Sequence, residues 1–151
     1  MPSEIEQAVE KYSDLLLRAA YIVLQSTQDA QDAVQEAFLK RMTHAPHFRD
    51  AEHEKAWLLR VTINTAKNIR RTNSRNSETL LPDIPITEKH DDLLDAVFRL
   101  PTPYRTVIFL YYYEGYSIRE IARILSVAQG TVGTRLARAR TQLKTMIGEE
   151  L

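Results

Sequence analysis

Apolar residues recur at three- and four-residue intervals along most of this chain, which is the spacing of one face of an α-helix. In the first half we predict a helix from about Ser3 to Gln25, a second after the capping residues Ser26 and Thr27, and a third from about Glu54 to Thr72. Their apolar positions are Val9, Leu16, Ala20, Val23 and Leu24, then Ala30, Ala33, Val34, Ala37 and Phe38, then Trp57, Leu58, Val61, Thr65 and Ile69.

Four further helical stretches are predicted after position 90. The first ends at Pro101, the second runs from Pro103 to a stop at Gly115, and Ser117 caps the third. The fourth is expected over about Gln129–Ile147. Its apolar stripe is Val132, Leu136, Ala139, Leu143 and Met146.

The segment between the two groups of helices lacks a helical period. Residues 73–89 are polar at first and then contain Pro82 and Pro85, which is typical of a linker. Strand signals are nearly absent, with no Asn-Gly hairpin dipeptide and no long alternating run. We therefore expect an all-α fold with two small helical domains, residues 1–72 and 90–151, joined by a flexible linker over residues 73–89.

Composition excludes several kinds of site. The chain has no cysteine, hence no disulfide, thiol nucleophile or Cys-ligated zinc, and His44, His47 and His53 match no common metal spacing. No phosphate-binding loop or catalytic motif is present, no apolar run reaches the ~18 residues of a membrane helix, and Met1–Gln7 does not resemble a signal peptide. We expect no catalysis, cofactor, metal, small-molecule substrate or membrane insertion.

The formal net charge of zero conceals an alternation of charge along the chain. Residues 1–50 contain 5 basic and 8 acidic side chains, and residues 51–75 contain 6 and 2. Residues 76–100 contain 2 and 6, and residues 101–151 contain 7 and 4. Two basic blocks separated by an acidic one indicate two separate contacts with a polyanion.

The segment from Ser117 to Arg140 has the pattern of a helix-turn-helix motif. Ile118, Ile121 and Leu125 would bury its first helix, while the second helix carries polar and basic residues that could enter a DNA major groove. The candidate DNA contacts are Gln129, Thr131, Thr134, Arg135, Arg138 and Arg140. The pattern also fits a four-helix domain whose basic face is only solvated.

Three features depart from a simple DNA-binding pattern. Ser126 falls in the turn, where a left-handed backbone would cost up to about 1 kcal/mol relative to glycine. Gly133 lies in the second helix, lowers its propensity by about 1 kcal/mol relative to alanine and offers no side chain to DNA. The tyrosines of Tyr111–Tyr113 could form a stacking platform, but successive side chains diverge by about 100° on a helix, so core packing is favoured.

Two long motifs resemble the extracytoplasmic-function (group 4) sigma factors of the sigma-70 family. The run LPTPYRTVIFLYYYEGYSIREIARILSVAQGTVGTRLARARTQLK, from Leu100 to Lys144, is similar to their region 4. The runs DAQDAVQEAFLKRM, from Asp29, and KAWLLRVTINTAKNIRR, from Lys55, are similar to two segments of their region 2. The resemblance covers nearly the whole chain and implies a sigma factor that directs RNA polymerase to promoter −10 and −35 elements, the latter through the helix-turn-helix.

The resemblance implies that the helix from Asp29 to Met42 binds the clamp helices of the largest polymerase subunit. Acidic side chains could pair with basic clamp residues, and apolar ones could supply an anchor. The candidate residues are Asp29, Asp32, Gln35, Glu36, Phe38 and Leu39. In the alternative interpretation Phe38 belongs to the core and the acidic residues are only solvated.

The resemblance also implies that the helix from Lys55 to Arg71 and the loop before it recognise and melt the −10 element. Melting requires bases to leave the stack, and capture of a flipped base offsets part of that cost. The candidate residues are Asn64, Lys67, Arg70, Arg71, His47 and Phe48. Trp57 could stack on a base, but its helical spacing with Val61 favours core packing.

The partners implied by the resemblance are core RNA polymerase, promoter DNA and an anti-sigma factor, all met in the cytoplasm. The acidic linker residues, Asp83, Glu88, Asp91 and Asp92, could mimic nucleic acid in a polymerase channel. Two other functions fit parts of the sequence, a free-standing transcription regulator that uses only the helix-turn-helix and an enzyme with an appended DNA-binding domain. The first domain favours the sigma factor, because a free regulator needs neither a polymerase-binding nor a melting helix.

Overall fold

The computed structural model describes residues 2–76 and 92–148. The chain divides into two compact units, whose described parts are these two ranges. Both ranges are built from helices and contain no strand, so the expected all-α class is confirmed. Most of the expected linker over residues 73–89 lies outside the described residues, as do the acidic residues Asp83, Glu88 and Asp91. Asp92, which was grouped with them, is the first residue of a helix.

The seven predicted helices are present within the described ranges. The first unit contains α1 (Glu4–Leu24), α2 (Thr27–His44) and α3 (Ala51–Asn76). The second contains α4 (Asp92–Arg99), α5 (Thr102–Ile108), α6 (Ile118–Leu125) and α7 (Gln129–Ile147). A π-helical turn, Phe109–Tyr113, directly follows α5 and was not predicted.

Helix α1 has the ends that the sequence predicts. The Ser3 hydroxyl accepts a hydrogen bond from the Glu6 backbone N–H, and Gln25 ends the helix in the left-handed region with φ 53°. Leu16, Ala20 and Val23 are buried on the expected face. Val9 was assigned to the same stripe, but it lies on the outer side of α1 and is exposed, whereas the nearby Ala8 and Tyr12 are buried.

Helix α2 packs through alanines. Ala30, Ala33 and Ala37 are fully buried where α2 meets α1 and α3. A methyl side chain lets neighbouring backbones approach closely, so α2 can contact two helices while its outer face stays free. That outer face carries two exposed apolar residues, Leu39 and Met42.

Helix α3 is longer than predicted at both ends. It begins three residues earlier because the Asp50 carboxylate accepts from the His53 backbone N–H at 2.8 Å, while His53 Nδ1 accepts from the Arg49 N–H at 3.1 Å. It continues four residues past Thr72, and Asn73 Nδ2 donates to the Asp29 carboxylate at 3.0 Å. The polar composition of residues 73–76 gave no sign of a helix, and the contact with Asp29 of α2 stabilises this end of α3.

A buried arginine ties the first helices of the second unit together. Arg105 is only 4% exposed, and its Nη1 donates to the carbonyls of Phe98 and Leu100 at 3.1 and 2.9 Å. Its Nη2 donates to the Thr102 hydroxyl at 3.3 Å. The guanidinium therefore satisfies carbonyls left unpaired at the end of α4, a role that the sequence pattern did not indicate.

The π turn changes the prediction for the tyrosine run. The Glu114 N–H donates to the Phe109 carbonyl five residues back, and Gly115 ends the turn at φ 76°. Core packing was predicted for these tyrosines, but Tyr112 is 54% exposed and Tyr113 is 45% exposed. The prediction was wrong for Tyr112 and Tyr113, whose rings lie on the outside of the unit, and Tyr111 is half-buried.

The helix-turn-helix forms as predicted. A reciprocal pair of hydrogen bonds between Ser117 and Glu120 caps α6, and Ser126 occupies the left-handed region at φ 56°. The first four residues of the predicted apolar stripe of α7 are buried, namely Val132, Leu136, Ala139 and Leu143. Met146 was assigned to the same stripe but is 39% exposed.

The buried Thr62 provides a stability test in α3. Its side chain is fully buried, and its hydroxyl oxygen has no hydrogen-bond partner. Thr62→Val removes this unpaired polar group and is expected to raise the free energy of unfolding of the first unit by about 1 kcal/mol. Urea unfolding followed by fluorescence of Trp57, the single tryptophan, measures it. Thr65→Val on the same helix is the control, and a lower midpoint for Thr62→Val would contradict the prediction.

Two glycines of the second unit should respond oppositely to the same substitution. Gly133 lies inside α7 with no atom within 4 Å of a built Cβ, so Gly133→Ala is expected to stabilise the helix by about 1 kcal/mol. Gly115 has equally open space but φ +76°, so Gly115→Ala is expected to destabilise by about 1 kcal/mol. Hydrogen exchange of the α6 and α7 amides measures both. If both substitutions changed the stability of the unit in the same direction, backbone conformation would not be what decides the effect.

Candidate functional site

One flank of α7 forms a groove with the start of α5. The groove has a volume of about 760 Å³. Its α5 side is formed by Pro101, Pro103 and Tyr104. Its α7 side is formed by Gly130, Thr131, Thr134, Arg135, Arg138 and Gln142. The structure therefore brings together four of the six residues predicted to contact −35 DNA.

The other two predicted −35 residues lie elsewhere on α7. Arg140 follows Arg138 by two residues and so lies about 200° round the helix axis from it. Gln129 precedes Arg138 by nine residues, which places it about 180° round the axis from Arg138. Arg140 contacts the π turn instead, where its Nε donates to the Tyr112 hydroxyl at 2.6 Å. The predicted set thus occupies two flanks of α7 and not one face.

The middle part of the α7 surface between these two flanks is formed by small residues. It contains Gly133 and Ala137, which have no long side chain, and the exposed Lys144 lies one turn beyond Arg140 toward the end of the helix. No heavy atom lies within 4 Å of a Cβ built on Gly133. The gap that the sequence predicted at Gly133 is therefore an open stretch of helix surface.

Helix α2 presents most of the predicted polymerase-binding residues to solvent. Asp32, Gln35, Glu36 and Leu39 are exposed. Asp29 is half-buried and bonded to Asn73. Phe38 was predicted as part of the anchor, but it is 8% exposed and belongs to the core of the first unit. Leu39, at 53% exposure, and Met42, at 63%, are the apolar groups that a partner could reach.

The predicted −10 residues of α3 form a polar face. Asn64, Lys67 and Arg71 lie three and four residues apart and so share one side of the helix, with Arg70 offset from them. Asn64 is exposed, and Arg71 Nη2 donates to the Asn68 amide oxygen at 3.0 Å. The face therefore combines a neutral hydrogen-bonding group with two cations.

The loop before α3 is held by its phenylalanine. The Phe48 ring has Arg41 at 4.9 Å, and it meets the His53 and Trp57 rings edge-on at 5.3 and 5.6 Å. Phe48 and Trp57 were both considered as surfaces for a base, and the structure packs them against each other. His47 is exposed and lines a cleft of about 380 Å³.

Arg41 is the residue of this region that the sequence did not indicate. Its Nε donates to a Glu54 carboxylate oxygen at 2.9 Å, and its guanidinium also lies 3.8 Å from Glu4. It joins the end of α2 to the start of α3 and to the Phe48 ring. The sequence pattern around a single helical arginine does not indicate which residues of other helices it will contact.

Neither a metal cluster nor a membrane-spanning helix is found in the described ranges. Within residues 2–76 and 92–148, no three His, Cys, Asp or Glu side chains come together as metal ligands. No helix in these ranges is both long and apolar enough to span a bilayer.

Two family profiles match the chain in the order that the sequence resemblance implies. Sigma-70 region 2 matches residues 8–76, which cover most of α1 and all of α2 and α3. Sigma-70 region 4 matches residues 90–143, which cover α4 to most of α7. Each profile therefore corresponds to one structural unit.

Curated relatives match over nearly the full length. The ECF RNA polymerase sigma factor SigM of Mycobacterium tuberculosis is 31% identical over 95% of this chain and 76% of its own length. The RNA polymerase sigma factor SigV of Bacillus subtilis is 31% identical over 88% of this chain and 84% of its own.

Solved structures share the fold. The sigma factor RpoE of Bartonella quintana, solved with the anti-sigma factor NepR, has a TM-score of 0.73 at 22% identity and covers 95% of this chain and 96% of that chain. CnrH, solved with the cytosolic domain of CnrY, has a TM-score of 0.66 at 22% identity and covers 97% and 89%. Together with the profiles and relatives, these matches show that the chain belongs to the extracytoplasmic-function sigma factors of the sigma-70 family.

Proposed function

We propose that this protein binds core RNA polymerase in the cytoplasm and directs it to promoters. The first unit contacts polymerase and the −10 element, and the second unit contacts the −35 element. The observation that supports this best is the presence of both sigma profiles, each on its own helical unit. In this function the chain supplies recognition and melting, and the polymerase supplies the chemistry.

The flank of α7 that lines the groove is the proposed surface for recognition of the −35 element. Its two arginines and two threonines offer planar guanidinium donors and short hydroxyls, which suit guanine edges and phosphate oxygens. The buried stripe of Val132, Leu136, Ala139 and Leu143 holds the helix in place beneath them. Recognition therefore depends on side chains whose backbone is fixed before DNA arrives.

The polar face of α3 and the cleft at His47 are the proposed −10 site. Asn64 can hydrogen-bond a base edge, and Lys67, Arg70 and Arg71 can neutralise phosphates. Phe48 acts here by holding the loop against Arg41 and Trp57. A loop fixed before binding avoids an ordering cost when a base leaves the stack.

The outer face of α2 is the proposed polymerase contact. Leu39 and Met42 form an apolar centre, and Asp32 and Glu36 add negative charge beside it. An apolar centre with a charged rim is the usual composition of a protein interface. Such a surface complements a partner with basic residues around an apolar pocket.

An anti-sigma factor is a further proposed partner. The solved structures of the related RpoE and CnrH hold the anti-sigma factor NepR and the cytosolic domain of CnrY, respectively. The same exposed apolar residues of α2 would serve polymerase and an inhibitor in turn. A regulator that covers them would block polymerase binding by competition.

The arginines of the groove provide a test of −35 recognition. Arg135→Ala is expected to weaken holoenzyme binding to a promoter duplex by about 1–3 kcal/mol while leaving association with core polymerase unchanged. The duplex is one selected by wild-type holoenzyme from a randomised pool, and a fluorescent base analogue near −10 reports melting. Arg99→Ala, an exposed arginine of α4, is the control. Loss of core binding by Arg135→Ala, or no opening by wild-type holoenzyme, would contradict the proposal.

The exposed leucine of α2 provides a test of polymerase binding. Leu39→Ala is expected to weaken association with core polymerase by about 1–2 kcal/mol, because truncating an interface anchor loses its burial. The side chain is already exposed in the free protein, so unfolding by urea should be unchanged. Val9→Ala removes a similarly exposed apolar group from α1 and is the control. Equal core affinities for the two variants would count against α2 as the interface.

A further inference from the structure

Arg140 is held on the surface by two tyrosines of the π turn. Its Nε donates to the Tyr112 hydroxyl at 2.6 Å, and its guanidinium carbon lies 5.6 Å from the Tyr112 ring and 5.9 Å from the Tyr111 ring. The two rings meet edge-on at 4.9 Å. One guanidinium therefore has a hydrogen bond and two ring contacts although it is exposed.

The π turn makes this arrangement possible. Its hydrogen bonds span five residues and not four, which widens the helix at this point. Tyr111 and Tyr112 are consecutive, yet both rings reach the same guanidinium. Turns of this kind occur often at functional sites, and the cost of the poorer backbone geometry needs a compensating use.

The contact does not have the properties of a stability element. Tyr112 is 54% exposed and Arg140 is exposed, and cation–π contacts in water contribute little to folding. Arginine has many rotamers, so holding one of them on the surface costs conformational entropy. The arrangement is useful where the guanidinium must meet an anion in a fixed place.

We propose that Tyr112, with Tyr111, is a positioning residue that holds Arg140 for contact with a DNA phosphate. The inference rests on the proposed −35 function of α7. Arg135 and Arg138 lie on the flank of α7 that forms the protein groove with α5. Arg140 lies on the other flank, and the small residue Gly133 lies between the two. With α7 in a DNA major groove, its two flanks face the two DNA strands that border that groove. Arg135 and Arg138 then lie beside one strand, and Arg140 contacts a phosphate of the other strand.

The chemistry of Arg140 agrees with this assignment. Its Nε donates to the tyrosine hydroxyl, which leaves the terminal Nη groups as donors for a ligand. Paired guanidinium donors bind the oxygens of a phosphate diester in a bidentate manner. The two rings carry no net charge, so Arg140 keeps its formal positive charge for contact with the phosphate.

The experiment uses holoenzyme assembled from the full chain and core polymerase, bound to a duplex that wild-type holoenzyme selects from a randomised pool. Dissociation constants are measured over a range of salt concentrations. Arg140→Ala is expected to weaken binding about tenfold and to reduce the salt slope by about 0.9, the effect of one lost phosphate contact. Tyr112→Phe keeps the ring and removes the hydroxyl, so it is expected to weaken binding about threefold with little change in slope.

Three further variants separate positioning from other roles. Arg140→Lys keeps the charge, so the salt slope should remain while affinity falls. Tyr112→Phe should have no further effect in the Arg140→Ala background, because it acts through that arginine. Tyr113→Phe is the matched control, since the Tyr113 ring stacks on Phe109 at 6.4 Å.

Several results would overturn the inference. The first is an unchanged slope and affinity for Arg140→Ala while Arg135→Ala still weakens binding, which leaves the −35 function intact. The second is an equal loss for Tyr113→Phe and Tyr112→Phe, and the third is an additive loss in the double variant. If Arg135→Ala also has no effect on DNA binding, the proposed function of α7 fails together with the inference.

Discussion

The packing of α7 against the rest of its unit is the interaction on which the DNA-facing surface depends. Val132, Leu136, Ala139 and Leu143 are buried against α4, α5 and α6. These contacts fix the rotation of α7 about its axis, and that rotation decides which surface each remaining side chain faces. Arg135 and Arg138 therefore lie in the groove beside α5, and Arg140 lies against the tyrosines of the π turn.

The first unit reaches a similar result with smaller side chains. Alanines on α2 let α1 and α3 approach closely, which leaves Leu39 and Met42 on the outside. Arg41 then joins the end of α2 to Glu54 at the start of α3 and to the ring of Phe48. A single half-buried cation thus supports both the proposed polymerase surface and the proposed −10 loop.

The sequence determined the elements and much of the core. The exception is α3, where Leu58 is buried but the other predicted apolar residues, Trp57, Val61, Thr65 and Ile69, are only half-buried. The three- and four-residue spacing of apolar residues predicted all seven helices, because burial of one face is what makes a short helix stable in a protein. Local capping chemistry was equally readable at Ser26 and Ser117, where the hydroxyl accepts from a backbone N–H three residues on. Two long motifs resembling known sigma regions identified the family, as the profiles on residues 8–76 and 90–143 show.

The tertiary structure decided how the polar and aromatic residues are used. The sequence placed Phe38 and Leu39 together as anchors, but packing buries one and exposes the other. It assigned the tyrosine run to the core, but the π turn places Tyr112 and Tyr113 outside and joins Tyr112 to Arg140. The roles of Arg41, Arg105 and Arg140 depend on partners between 3 and 37 residues away in sequence. Helical periodicity specifies which face a residue occupies, and only the packing of the helices specifies what that face meets.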